Sequence, residues 1–145
     1  MTETIKLANE SIRLAQEDYN IAIISDSSIN PKPLNRICNL CQQIVERMLK
    51  ALSLAVGEEG RHSHDLGLLI IDLEKTGMFS FEDIIKDYAD SLTPFGVKAR
   101  YPFEIEIDEN DELLAMTYMR TLCEDINKKL EALNNKELGQ LKLSV

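Results

Sequence analysis

Four stretches of the chain hold residue types able to do chemistry. Cys38-Asn39-Leu40-Cys41 has the spacing of a metal or redox pair. A structural zinc needs four ligands, and no second such pair follows. A redox pair of this type sits in a βαβ setting, and the sequence shows no strand-like alternation. Both thiols, and Cys123 further on, fall on apolar helical stripes, so the reading is buried core cysteines, with no metal and no cofactor expected. Ser63-His64-Asp65 names the members of a hydrolase triad, but triads assemble from distant positions, and neighbours at a helix start point in different directions. Helix capping by Ser63, with Asp65 near the positive end of the dipole, accounts for the same residues.

Arg61, His62 and His64 lie where a loop runs into a helix N-terminus, a place where free amides and the dipole favour an anion. Two readings stand here. Either this loop binds an anion, or Arg61 is solvated and His64 anchors the loop to a neighbouring helix. Lys98, Arg100 and Tyr101 divide the same way: Arg100 ties down its loop by pairing with an acid, or with Lys98 it makes a basic face for phosphate. From Glu104 to Glu112 six acids crowd the approach to the last helix, which reads as a solvated, dipole-matched helix start without the spacing of a calcium loop.

The elements that must position these residues are helical. Leu34, Ile37, Cys38, Cys41, Ile44, Val45, Met48, Leu49, Leu52, Ala55 and Val56 recur at helical spacing over more than half a circumference, so this second helix is the central member of a bundle. It starts after Pro31 and Pro33 and stops at Gly57. Its narrower polar edge carries Asn35, Asn39, Gln42, Glu46, Lys50 and Ser53, with Glu46 and Lys50 four apart in the order that favours an ion pair. Before it, Ile5, Ala8, Ile12, Ala15, Tyr19, Ala22 and Ile23 predict a first helix ending at Ser25-Asp26-Ser27-Ser28, where short polar side chains compete with the backbone. After it, Leu66, Leu69, Ile70 and Leu73 predict a third helix closed by Gly77. Ser80 and Asp83 predict a capped fourth helix reaching about Leu92. Residues 97–108 read as a long loop. Asp108 and Asp111 predict a capping box for a last helix whose core stripe is Ala115, Tyr118, Met119, Leu122, Ile126, Leu130 and Leu133. The expected architecture is all-α, an up-and-down four-helix bundle with an additional short helix. It forms one domain over 1–145, with a core over 4–133 and a tail, 134–145, expected to fray.

Composition narrows the function classes. A chain of 145 residues with 44% hydrophobic residues can build one ordinary core. It has no apolar run of membrane-spanning length, and its three cysteines read as reduced thiols, so a soluble cytoplasmic protein is expected. The net charge of −9 opposes non-specific attraction to nucleic acid, so any such contact requires a local basic patch.

The order and spacing of Cys41-Gln42-Gln43, Glu46, Lys50-Ala51-Leu52, Gly57, His64-Asp65-Leu66 and Arg100-Tyr101-Pro102 resemble the HEPN domain, a mainly prokaryotic helical bundle, over nearly the whole chain. The resemblance implies an up-and-down bundle with an extra helix, a homodimer, and a minimal nucleotidyltransferase as partner. It also implies a toxin–antitoxin or stress and defence setting. Many members of that family are ribonucleases that use an arginine followed four to six residues later by a histidine. Here the only histidines are 62 and 64, Arg61 lies three before His64, and position 47 is arginine where the family usually has lysine. The expected function is therefore a binding module for a nucleotidyltransferase or a nucleotide or other phosphate ligand. Arg61, His64, Asp65, Lys98, Arg100 and Tyr101 are its candidate contacts. The alternative is a metal-independent ribonuclease with a non-standard Arg61/His64 pair.

Overall fold

The computed structural model describes residues 1–98 and 106–144, with the side chains of Val97 and Lys98 left out. Among these residues it is all-α, with α1 (Glu3–Ser28), α2 (Leu34–Ala55), α3 (Leu66–Lys75), α4 (Asp83–Leu92), a single turn α5 (Phe95–Lys98) and α6 (Glu109–Ala132). None of these helices is long and apolar enough to cross a membrane.

The second helix is central, as its wide stripe predicts, with α1 along one side, α6 along another and α3 and α5 covering the rest. Ile37, Leu40, Ile44, Met48, Leu49 and Leu52 are fully buried. The five-residue connection 29–33 reverses the chain, so α1 and α2 are antiparallel; Ser11 and Asp18 of α1 both reach Arg47. On the other flank Cys41 meets Met116 at 3.5 Å, and Glu112 at the start of α6 bonds Asp26 at the end of α1, so α6 runs antiparallel to α1 and in the same direction as α2. Residues 56–65 double back along α2, bringing Gly60 beside Ser53 and His64 beside Glu46. Gly57 and Gly60 make this possible with φ of +82° and +63°, the left-handed region that side chains with a Cβ disfavour. The loop thus delivers its polar residues to the middle of α2 before α3 begins.

Local expectations change at three helix ends. The first helix continues through its serines: Ser27 Oγ donates back to the Ile23 carbonyl at 2.9 Å, so its hydroxyl is satisfied inside the helix, and Ser25 is buried on the core face. The cap of α3 is Asp65, which accepts from Leu68 N at 3.2 Å; Ser63 sits two residues too early and instead accepts from Asp65 N. Ser80 forms no capping box with Asp83. The start of α4 is fixed by burial of Phe81, whose amide is held by Glu74 and whose ring lies under Lys129 Nζ at 4.4 Å. The box between Asp108 and Asp111 forms as predicted. The tail is not loose through residue 144: it is seated between α1 and α6, with Leu141 buried in the core.

Candidate anion-binding cleft

A carboxylate on the most buried helix organises the polar edge of α2. Glu46 is only 12% exposed and accepts from His64 Nδ1 at 2.7 Å, Lys50 Nζ at 3.0 Å and Gln42 Nε2 at 3.2 Å. Burial by itself would raise its pKa, but the hydrogen bonds from His64, Lys50 and Gln42 outweigh it and hold the carboxyl below its ordinary range. An ionised Glu46 can only accept, so His64 donates from Nδ1 and turns Nε2 outward on a ring that is 68% exposed. Gln42 also donates to the His64 carbonyl at 2.8 Å, fixing the backbone of the returning loop.

Next to this cluster is a cleft of about 250 Å³ lined by Ser11, Gln43, Glu46, Arg47, Lys50 and His64. Arg47 holds Asp18 at 3.0 Å, and both Arg47 and Lys50 remain about one-third exposed. Two cations and an outward imidazole therefore share one concave surface on a strongly acidic chain. Such a cluster can receive a small anion by charge-assisted hydrogen bonds.

Among the described residues, the candidates Arg61, His64 and Asp65 are not gathered in one cleft. Arg61 makes a bidentate pair with Asp72 at 2.6 and 2.7 Å, which pulls the Asp72 carboxyl down, and it lines a different cleft on the far side of Lys50, floored by Leu49, Leu69 and Leu73. Asp65 is occupied as a helix cap. Arg100, Tyr101 and the side chain of Lys98 lie outside the described residues. Of the candidates among the described residues, His64 alone lines the Arg47 cleft. Sequence reasoning did not propose Arg47, Lys50 and Gln43 as contacts, although charged residues at 46, 47 and 50 on an otherwise buried helix carry the signal: they must meet either water or a cleft.

The three thiols lie in the core. Burial pushes Cys38 up to about 12 and holds Cys41 and Cys123 well above the ordinary thiol value. The acid run also departs from its solvated reading at one position. Glu112 is 4% exposed and shares a hydrogen bond with Asp26 at the end of α1, while among the described residues its Oε1 has no hydrogen-bond partner. Burial first, and the neighbouring Asp26 second, push its pKa up to about 7.

Over residues 6–130 the sequence matches the HEPN domain. A solved structure, TT1696 from Thermus thermophilus, is 21% identical and aligns over 90% of this chain and 94% of that one with a TM-score of 0.58, a likeness of fold alone. No curated protein matches the chain. The match reaches into every helix from α1 to α6 and includes the organising Glu46 and its partners, and on that extent the chain belongs to the HEPN domain family.

Proposed function

We propose that this chain is a HEPN-type binding module whose cleft between α1, α2 and the returning loop receives a phosphate-bearing ligand such as a nucleotide. The observation that carries the reading is the convergence of Arg47, Lys50 and the outward face of His64 on one cleft in a chain of net charge −9. Charge-assisted bonds to phosphate are worth roughly 1.5–3 kcal/mol each. Titration calorimetry with ADP should thus show Lys50→Ala or Arg47→Ala weakening binding about tenfold or more. Both are part-exposed ion pairs, so each substitution should lower stability by less than about 1 kcal/mol. Glu46→Gln removes a like charge from the anion's surroundings and should tighten binding. Affinity indifferent to all three substitutions would remove this cleft from the reading.

The partner expected from the family resemblance, a minimal nucleotidyltransferase, fits a module that presents or receives a nucleotide. Self-association fits the surface of α1, where Leu7, Ile21 and Ile24 are exposed and Leu7, Leu14 and Ile21 recur every seven residues. Sedimentation at micromolar concentration should give a dimer that Ile21→Glu with Ile24→Glu converts to a monomer of 16.5 kDa. A wild-type monomer would end the dimer proposal.

A second reading, metal-independent cleavage of RNA, has one observation in its favour: Glu46 orients His64 as acid–base catalysts are oriented, with Nε2 unpaired among the described residues. Its cation would be Lys50 or Arg47 instead of Arg61. The binding reading expects purified protein to leave RNA intact. Cleavage that disappears in folded His64→Ala would hand the site to the second reading.

A further inference from the structure

Residues 137–144 lie against the bundle as an extended peptide lies in a receptor. Asn9 of α1 donates to the Glu137 carbonyl at 2.8 Å and accepts from Gly139 N at 2.9 Å. Asn127 of α6 donates to the Leu141 carbonyl at 2.8 Å and accepts from Leu141 N at 3.1 Å. Gln16 of α1 donates to the Lys142 carbonyl at 3.1 Å and accepts from Lys142 N at 2.7 Å. Tyr19 OH reaches the Ser144 carbonyl at 3.3 Å. In an extended chain successive residues turn their N–H and C=O groups to opposite sides, and here Leu141 faces α6 while Lys142 faces α1.

The spacing is matched along the groove as well as across it. Asn9 and Gln16 are seven helical residues apart, about 10 Å. Their main-chain targets Gly139 and Lys142 are three extended residues apart, also about 10 Å. The three carboxamides thus read backbone and not side chains. Side-chain selection comes from Leu141, 3% exposed, with Leu138 and Leu143 partly buried beside it. Gly139 imposes nothing, since a Cβ there would meet Asn9 Oδ1 at an ordinary 3.6 Å.

We propose that the groove between α1 and α6 is a binding site for an extended peptide segment carrying leucines in the pattern Leu-x-x-Leu-x-Leu, and that residues 137–144 occupy it as a tethered internal ligand. The bonds made by Asn9 and Gln16 lie at the surface, and one leucine supplies the deep contact, so the segment is held by a small, local set of interactions. Tethering sets the competing concentration: a segment on a short linker acts at about millimolar, so an incoming peptide meets a groove that is closed until the tail is displaced.

The test uses the full chain and a fluorescein-labelled synthetic peptide of residues 136–145, followed by anisotropy. Leu141→Asp in the protein unseats the internal tail and should bind the peptide at least about tenfold more tightly than wild type does. A scrambled peptide should not bind, and adding Asn127→Ala to the protein should reduce binding several-fold. A Leu141→Asp protein that keeps its helical circular dichroism yet binds no peptide, or binds the scrambled one equally, overturns the proposal and leaves the tail a structural strap. Should that variant fail to fold, hydrogen exchange on wild type decides. Excess peptide should speed exchange at the amides of Gly139, Leu141 and Lys142, and unchanged exchange there overturns the proposal equally.

Discussion

Replacing Glu112 with glutamine should stabilise the protein by about 1–3 kcal/mol near pH 8 and change it little near pH 4.5. Glu112 titrates in the folded protein at about 7, above its ordinary value of 4.5, because it is buried and faces Asp26. Below the ordinary value the carboxyl is protonated both folded and unfolded, and it costs nothing. As pH rises from there, the unfolded chain releases the proton first, so stability falls until the folded carboxyl also ionises near 7. The gap between the two values corresponds to about 3 kcal/mol. Part of this is offset by Asp26, whose pKa is lowered by the hydrogen bond it accepts from Glu112, with Lys32 helping. That contribution has the opposite sign: it is present above the ordinary aspartate value and lost as pH falls through the folded one. Glutamine reproduces the protonated state, keeps a donor for Asp26 and has no charge to bury. Urea unfolding across this pH range should show wild-type stability declining from about pH 5 to pH 7.5 and the variant curve flat. A wild type that grows more stable over that interval would show that Glu112 is not the controlling group.

Leu52→Ala should cost about 2–5 kcal/mol and lower the melting temperature by roughly 10 °C. The side chain is completely buried on the helix that contacts α1, α3, α5 and α6, so the cavity left by its removal is walled by several elements that cannot all close in. Leu113→Ala, on a residue 62% exposed, should change stability by no more than about 0.5 kcal/mol. Thermal unfolding followed by circular dichroism reads both, and comparable losses at the two positions would mean that α2 is not the centre of the core or that Leu113 is covered in solution. The second outcome would itself bear on self-association, since Leu113 stands at the surface of the single chain.

The helical class, the central role of α2 and the capping box at Asp108 were determined by local sequence, because each rests on spacings within a few turns of one segment. The same is true of the ion pair between Glu46 and Lys50, four residues apart on one face. The buried state of the cysteines also followed from the stripe on which they lie. Tertiary structure decided what depends on residues far apart meeting. The loop 56–65 doubles back over α2, so His64 meets Glu46 eighteen positions away and leaves Arg61 to pair with Asp72. Burial of Phe81 sets the start of α4 in place of the expected serine cap. Glu112 sits in an acidic run that reads as solvated, and only the approach of Asp26 at the end of α1 turns it into a buried carboxyl with a raised pKa. The tail looks free to fray because its own sequence offers neither helix nor strand. Its order comes from Asn9, Gln16 and Asn127, whose value as backbone partners exists only once α1 and α6 stand side by side.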